Sequence, residues 1–197
     1  SPSRYNLVCN GSFESEFAGW DKSNCDECLS ISNEAFTHGS HSLKMYDEDT
    51  RPIEIAQQIK VNPFANVVET FTLGVWFKGY IGEEDIPAKI SARVYYRGNA
   101  YSPDIYTETV DTGNNDWQYI TRNFHKKRYS PVDYIEINLS EYRCANAILF
   151  DNITLTRDSV KVLNSLQEFK ELYQTSATEE EETKVDDSDI VSKEDET

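Results

Sequence analysis

The chain has 197 residues and carries 35 Asp and Glu against 19 Lys and Arg, a formal net charge of −16. That balance argues against nucleic acid as a partner, because phosphate binding needs a basic face. No run of about 18 apolar residues is present to span a membrane. The acidity is concentrated at the end. Residues 176–197 hold ten carboxylates and two lysines, leaving 25 carboxylates against 17 basic residues in the remainder.

Short runs rich in Val, Ile, Thr, Tyr and Phe recur at 5–9, 29–33, 42–46, 55–61, 70–78, 88–96, 107–111, 117–124, 133–139 and 147–156. Turn-forming residues separate them at roughly ten-residue spacing with no helical stretch between. This pattern predicts an all-β protein, a sandwich or barrel. Three runs alternate cleanly. Phe71, Leu73, Val75 and Phe77 oppose Thr72, Gly74, Trp76 and Lys78; Ile90, Ala92 and Val94 oppose Lys89, Ser91, Arg93 and Tyr95; Ile135, Ile137 and Leu139 oppose Tyr134, Glu136 and Asn138. A strand's side chains alternate between faces, so the aliphatic sets face the core and the ring-bearing polar sets face out.

Beyond Thr156 the period changes. Asp158 or Ser159 can cap a helix carrying Val160, Leu163, Leu166, Phe169 and Tyr173 at helical spacing. The expected organisation is a sandwich over 1–157, an amphipathic helix or connector over 158–175, and a disordered acidic tail or linker over 176–197. From the Ser-Pro-Ser start, a mature chain or an excised piece of a longer protein is expected.

Four cysteines, Cys9, Cys25, Cys28 and Cys144, are few for a disulfide scaffold. Cys25-Asp26-Glu27-Cys28 is open to three readings: a redox pair, half of a zinc site, or a local disulfide. No βαβ pattern follows to favour the first, and Cys9 and Cys144 do not form the second close pair of a four-cysteine zinc site; the four are expected first as small buried or free thiols, then as one or two disulfides, and last as a metal site. Three sequons, at Asn10, Asn138 and Asn152, fall in a turn or strands where glycosylation would disturb packing.

Asn10-Gly11-Ser12-Phe13-Glu14 after the first run, Gly19-Trp20, His38-Gly39-Ser40-His41-Ser42-Leu43-Lys44-Met45, Gln57 to Val61, Thr72-Leu73-Gly74-Val75-Trp76-Phe77-Lys78-Gly79, Trp117 and Phe150-Asp151-Asn152-Ile153-Thr154-Leu155 form an ordered series. This series resembles the carbohydrate-binding modules of the family 4, 9 and 22 group, jelly rolls of the galactose-binding-like type, over about residues 5–156. The resemblance implies a structural calcium site built from the Ser12 carbonyl, the Glu14 carboxylate, the His41 carbonyl and the Asp151 carboxylate, hard oxygen donors of the kind calcium takes. His38 stands where some members place a second carboxylate, and it is a poor calcium ligand.

The resemblance also implies a ligand face on the concave sheet, where rings stack on sugars. Trp76 falls on a position that supplies a stacking Trp in some members, and Phe124 corresponds to a second. By parity Arg93, Tyr95, Tyr134, Glu136 and Asn138 share outward faces of nearby strands. A covered Trp76, under the helix or a loop, is the competing reading; Trp20 and Trp117 are expected to pack in the core. A glycosidase would need two carboxylates across one cleft, and only Glu136 can be placed on the face; His38, His41 and His125 form no triad, so no enzyme is expected.

The leading expectation is a non-catalytic module that binds a polysaccharide or oligosaccharide, joined to other domains of a secreted or cell-surface parent. The alternative is a structural, adhesive or protein-interaction jelly roll of a large surface or RHS-type protein that binds no sugar.

Overall fold

The structure, a computed structural model, describes residues 5–34, 39–49, 51–80, 86–110, 115–142 and 146–174. His38, Cys144 and the acidic tail lie outside the described residues. Among the described residues, ten strands form two antiparallel sheets. The front sheet runs, in spatial order, β1 (Asp21–Asn24), β4 (Ile53–Ile59), β9 (Val132–Tyr142), β6 (Ile86–Tyr96), β7 (Asp104–Val110). The back sheet runs β2 (Leu29–Ser32), β3 (Ser42–Met45), β10 (Ile148–Val162), β5 (Val67–Lys78), β8 (Gln118–Phe124). The stretch 5–9 is irregular rather than a strand; it touches β10 through an isolated Asn6–Thr156 bridge and a Leu7 N–H bond to the Leu155 carbonyl (2.8 Å).

The core follows the parity of the strands. Phe71, Leu73, Val75 and Phe77 of β5 meet Ala88, Ile90, Ala92 and Val94 of β6 and Ile135, Ile137 and Leu139 of β9 between the sheets. In β10 the parity changes midway: Ile148 and Phe150 point inward, and so do Ile153 and Leu155. A bulge between Asp151 and Thr154, with Asn152 at a left-handed φ of 52°, accounts for the switch and leaves Asp151 fully buried.

The turn 10–20 packs against that bulge. Gly11 accepts from the Ile153 N–H (2.9 Å), and a Cβ at Gly11 would overlap the Ile153 carbonyl oxygen, which is why only glycine fits. Phe13 stacks on Trp20 (5.4 Å between centroids), whose indole N–H donates to the Asn10 carbonyl (3.0 Å). The Asn10 amide nitrogen itself donates to Glu16 O and Ala18 O (2.8 and 2.9 Å), so the side chain closes the turn. Trp117, just before β8, is half-buried.

The expected helix from residue 158 is displaced. Strand β10 continues to Val162 because its residues 157–162 pair with β5 residues 67–71. The helix, α1 (Leu166–Tyr173), starts later, capped by Ser165 Oγ accepting from the Glu168 N–H (3.1 Å) while Glu168 Oε1 accepts from the Asn164 N–H (2.7 Å). Eight residues make a marginal helix alone; buried Phe169 anchors it on Val68 and Leu163.

Candidate functional site

The outer face of the front sheet collects five of the residues expected at a ligand site. Cross-strand register aligns Gln58, Glu136, Arg93 and Ile105 in one row across β4, β9, β6 and β7, and Ala56, Asn138, Ser91 and Thr107 in the next. Tyr95 and Tyr134 face each other in the row on the other side of Glu136 and Arg93 and stack, with centroids 4.7 Å apart and planes 23° from parallel. The Lys60 ammonium lies 5.9 Å from the Tyr134 ring centre. Four strands at about 4.8 Å spacing give a face about 14 Å across.

Polar groups on this face are only partly satisfied by one another. Arg93 Nη1 sits 3.5 Å from Glu136 Oε1, with the two side chains 31% and 18% exposed. Arg93 Nε is buried and has no hydrogen-bond acceptor among the described residues. Burial lifts the Glu136 carboxyl above its ordinary range; the Arg93 charge opposes this, while Glu54 and Asp21 add to it. Burial likewise raises the Tyr134 phenol, with Tyr95 and Glu136 contributing. Asn138 is buried, its amide donating to the Glu54 carboxylate, and the Ser91 and Thr107 hydroxyls pair at 3.0 Å. Gln58, Ser91, Thr107, Glu54 and Asp21 were not anticipated here; the parity that placed Arg93 and Glu136 outward carries the signal for their strand neighbours too.

Two expected members of the face lie elsewhere. Phe124 points inward, buried between Phe71 (5.4 Å) and Tyr106 (5.2 Å), because its partner across β5–β8 is the core residue Phe71. Trp76 does face outward, but from the back sheet, so the whole sandwich separates it from Arg93 and Tyr134. It is half-buried against Tyr119 (4.9 Å between centroids), which is 51% exposed and folds over Gly74, where any Cβ would strike its hydroxyl. Helix α1 packs on Val68, eight residues from Trp76 along β5.

The expected calcium ligands lie on segments that touch one another. The turn holding Ser12 and Glu14 lies against the β10 bulge that holds Asp151, and Glu14 reaches the loop at residues 40–41. Carboxylate and carbonyl oxygens, here from one buried and one exposed carboxylate and two turn carbonyls, are the donor type a hard cation takes. Glu14 is already engaged, accepting from the His41 ring (3.0 Å) and the N–H groups of Ser40 (3.0 Å) and His41 (2.9 Å). These bonds hold its carboxyl down at about 2. Asp151 Oδ1 accepts from the Asn152 N–H (2.7 Å). Of the cysteines, Cys25 and Cys28 are joined in a disulfide across a 3-10 turn and Cys9 is a free, exposed thiol.

Among the described residues no helix is long and apolar enough to cross a membrane. No curated protein sequence matches the chain. Solved structures do match its fold. A family 16 carbohydrate-binding module is 22% identical at a TM-score of 0.58, covering 77% of this chain and 99% of its own. A family 61 module solved with β-1,4-galactotriose is 19% identical at 0.54, covering 78% and 99%. The enzymatically active domain of bacteriophage CBA120 tailspike protein 4 is 20% identical at 0.59, covering 78% of this chain but 21% of its own. A family model described as "Carbohydrate binding domain", for the 4/9 group, matches residues 5–137. On that match, with the two-sheet jelly roll beneath it, the chain belongs to the carbohydrate binding domain family of the 4/9 group.

Proposed function

We propose that the outer face of the front sheet binds a glycan chain, that the module does no chemistry on it, and that it serves a larger secreted or cell-surface protein. One observation carries this: the stacked Tyr95–Tyr134 pair adjoins Arg93, Glu136 and Asn138 in continuous register, with the buried Arg93 Nε lacking an acceptor among the described residues. Rings offer apolar faces to sugar C–H groups, and the guanidinium, carboxylate and amide offer hydrogen bonds to hydroxyls. Binding rather than hydrolysis is favoured because Glu54 is held by Asn138 and Glu136 by Arg93, leaving neither carboxylate poised on a cleft.

A glycan array probed with wild type, Tyr134→Ala and Trp76→Ala tests the assignment. Tyr134→Ala should abolish the signal and Trp76→Ala should retain it; the reverse pattern would move the site to the back sheet. Absence of wild-type binding to any plant, fungal or bacterial glycan would favour the alternative reading, a structural, adhesive or protein-docking module on the same jelly roll.

We also propose that Ser12, Glu14, His41 and Asp151 hold a structural calcium ion tying the first turn to β10 and the 40–41 loop. Calcium would then raise the melting temperature and chelator lower it, through the preference of a ligand for the folded state. An unchanged midpoint, or an equal shift in Glu14→Gln, would refute the site.

A further inference from the structure

We propose that Cys25, Cys28 and Asp47 form a redox-gated site for a divalent cation of the zinc class, closed while the disulfide is intact and opened by its reduction. The two sulfurs and an Asp47 carboxylate oxygen all lie within 4.8 Å of one another. Tetrahedral zinc holds two thiolates about 3.8 Å apart, each about 2.3 Å from the metal, so three donors at this separation need only small side-chain rotations.

The backbone fixes the cluster from two directions. Residues Asp26–Cys28 form a 3-10 turn that brings the two cysteines to a Cα–Cα distance of 5.3 Å. Antiparallel pairing of β2 with β3 (Leu29 opposite Met45), continued by the Tyr46 N–H bond to the Cys28 carbonyl (3.0 Å), carries Asp47 to the same corner. Cys28 and Asp47 are 4% and 8% exposed, so both are held in place, whereas half-buried Cys25 has room to turn.

Asp47 is oriented as metal-ligating carboxylates are, by a hydrogen-bonded partner behind it. Arg51 donates to Oδ2 through its backbone N–H (2.7 Å) and Nε (3.0 Å), and to Oδ1 through Nη2 (3.0 Å), and the Asp49 N–H also donates to this carboxylate. Arg51 also binds Glu27 through Nη1 (2.9 Å). With the disulfide intact, Asp47, Glu27 and Arg51 carry one net negative charge. Two thiolates would add two more, which a divalent cation offsets.

The chemistry balances with an external dithiol as reductant. The dithiol gives two electrons and two protons to the disulfide and becomes a disulfide itself. Cys25 and Cys28 become thiols, and coordination then releases their two protons to solvent. Water completes a three-ligand site.

The test uses the full chain with Cys9→Ser and Cys144→Ser, so that any sulfur signal comes from Cys25 and Cys28. Cobalt(II) is added to oxidised and to phosphine-reduced protein, and thiolate-to-cobalt charge-transfer absorption is recorded. The reduced protein should bind one equivalent with that absorption, displaced by zinc, and the oxidised protein should show none. Cobalt held by the acidic tail gives no such band. Asp47→Asn, which removes a charged donor, should weaken the reduced site at least about 10-fold, and Cys25→Ser should remove the band. No band in the reduced protein, or undiminished affinity in Asp47→Asn, overturns the proposal; the oxidised–reduced comparison stands even if a variant fails to fold.

Discussion

Arg93→Met is the most informative single change on the front face. Methionine keeps an apolar stem against the sheet and removes the charge. Breaking a fully buried ion pair costs about 3–5 kcal/mol and an exposed one about 0–1 kcal/mol. With Arg93 31% and Glu136 18% exposed, a loss of about 1–2 kcal/mol at pH 7 is expected between those limits. The loss has a pH signature. Without Arg93, Glu136 keeps the burial and the Glu54 and Asp21 charges that raise its carboxyl, so its folded pKa moves further above the unfolded value. A raised acid is protonated in both states at low pH and destabilises the fold only as pH rises through the carboxylate range. Urea unfolding should therefore show a small deficit near pH 4 and the full deficit by pH 7, and adding Glu136→Gln should restore most of it. Glycan affinity should fall about 10- to 100-fold, the worth of a hydrogen bond from a charged donor of about 1.5–3 kcal/mol. Equal deficits at both pH values, or no rescue by Glu136→Gln, would refute this account of the pair.

Gly11→Ala should cost about 2–4 kcal/mol in urea unfolding, because the new Cβ meets a backbone carbonyl that cannot step aside; a cost under about 0.5 kcal/mol would mean the turn moves freely off β10. Lys126 is 5% exposed, donates to the carbonyls of Phe64 (3.2 Å), Ala65 (2.8 Å) and Ser130 (3.1 Å), and is pushed by burial from 10.5 down to about 8. Between pH 8 and 10.5 the unfolded chain binds the extra proton, so wild type should gain about 2–3 kcal/mol over Lys126→Met across that range; parallel pH curves would refute it.

Face assignments were legible in the sequence and sheet assignments were not. Alternation placed Trp76, Arg93 and Tyr134 outward, and each does face outward. Yet β5 and β6, neighbours along the chain, pair in different sheets, and a period of two says nothing about which sheet a strand joins. Phe124 lay in a run without clean alternation; only its register against Phe71 turns it inward. Residues 158–162 carried a helical period, but pairing with β5 holds them extended, tertiary context overriding local preference. The switch of parity at Asp151 depends on one left-handed residue, Asn152, and a bulge leaves little trace in hydrophobic pattern.

Placing the polar face on four strands drawn from residues 53 to 142 has a consequence for separating fold from function. Its geometry rests on front-sheet register, whereas Gly11 contacts Ile153 of the back sheet, and its turn meets the front sheet through Cys9 and the inward-facing Gln57, away from the outer face. A variant at Gly11 lowers the population of folded protein without altering the face, so its dissociation constant, measured well below the melting midpoint, should match wild type. Arg93→Met should do the opposite, changing affinity by more than its stability loss accounts for. If Gly11→Ala weakened glycan binding as much as Arg93→Met, the binding surface would have to include the back sheet, and Trp76 with Tyr119 would be the first place to look.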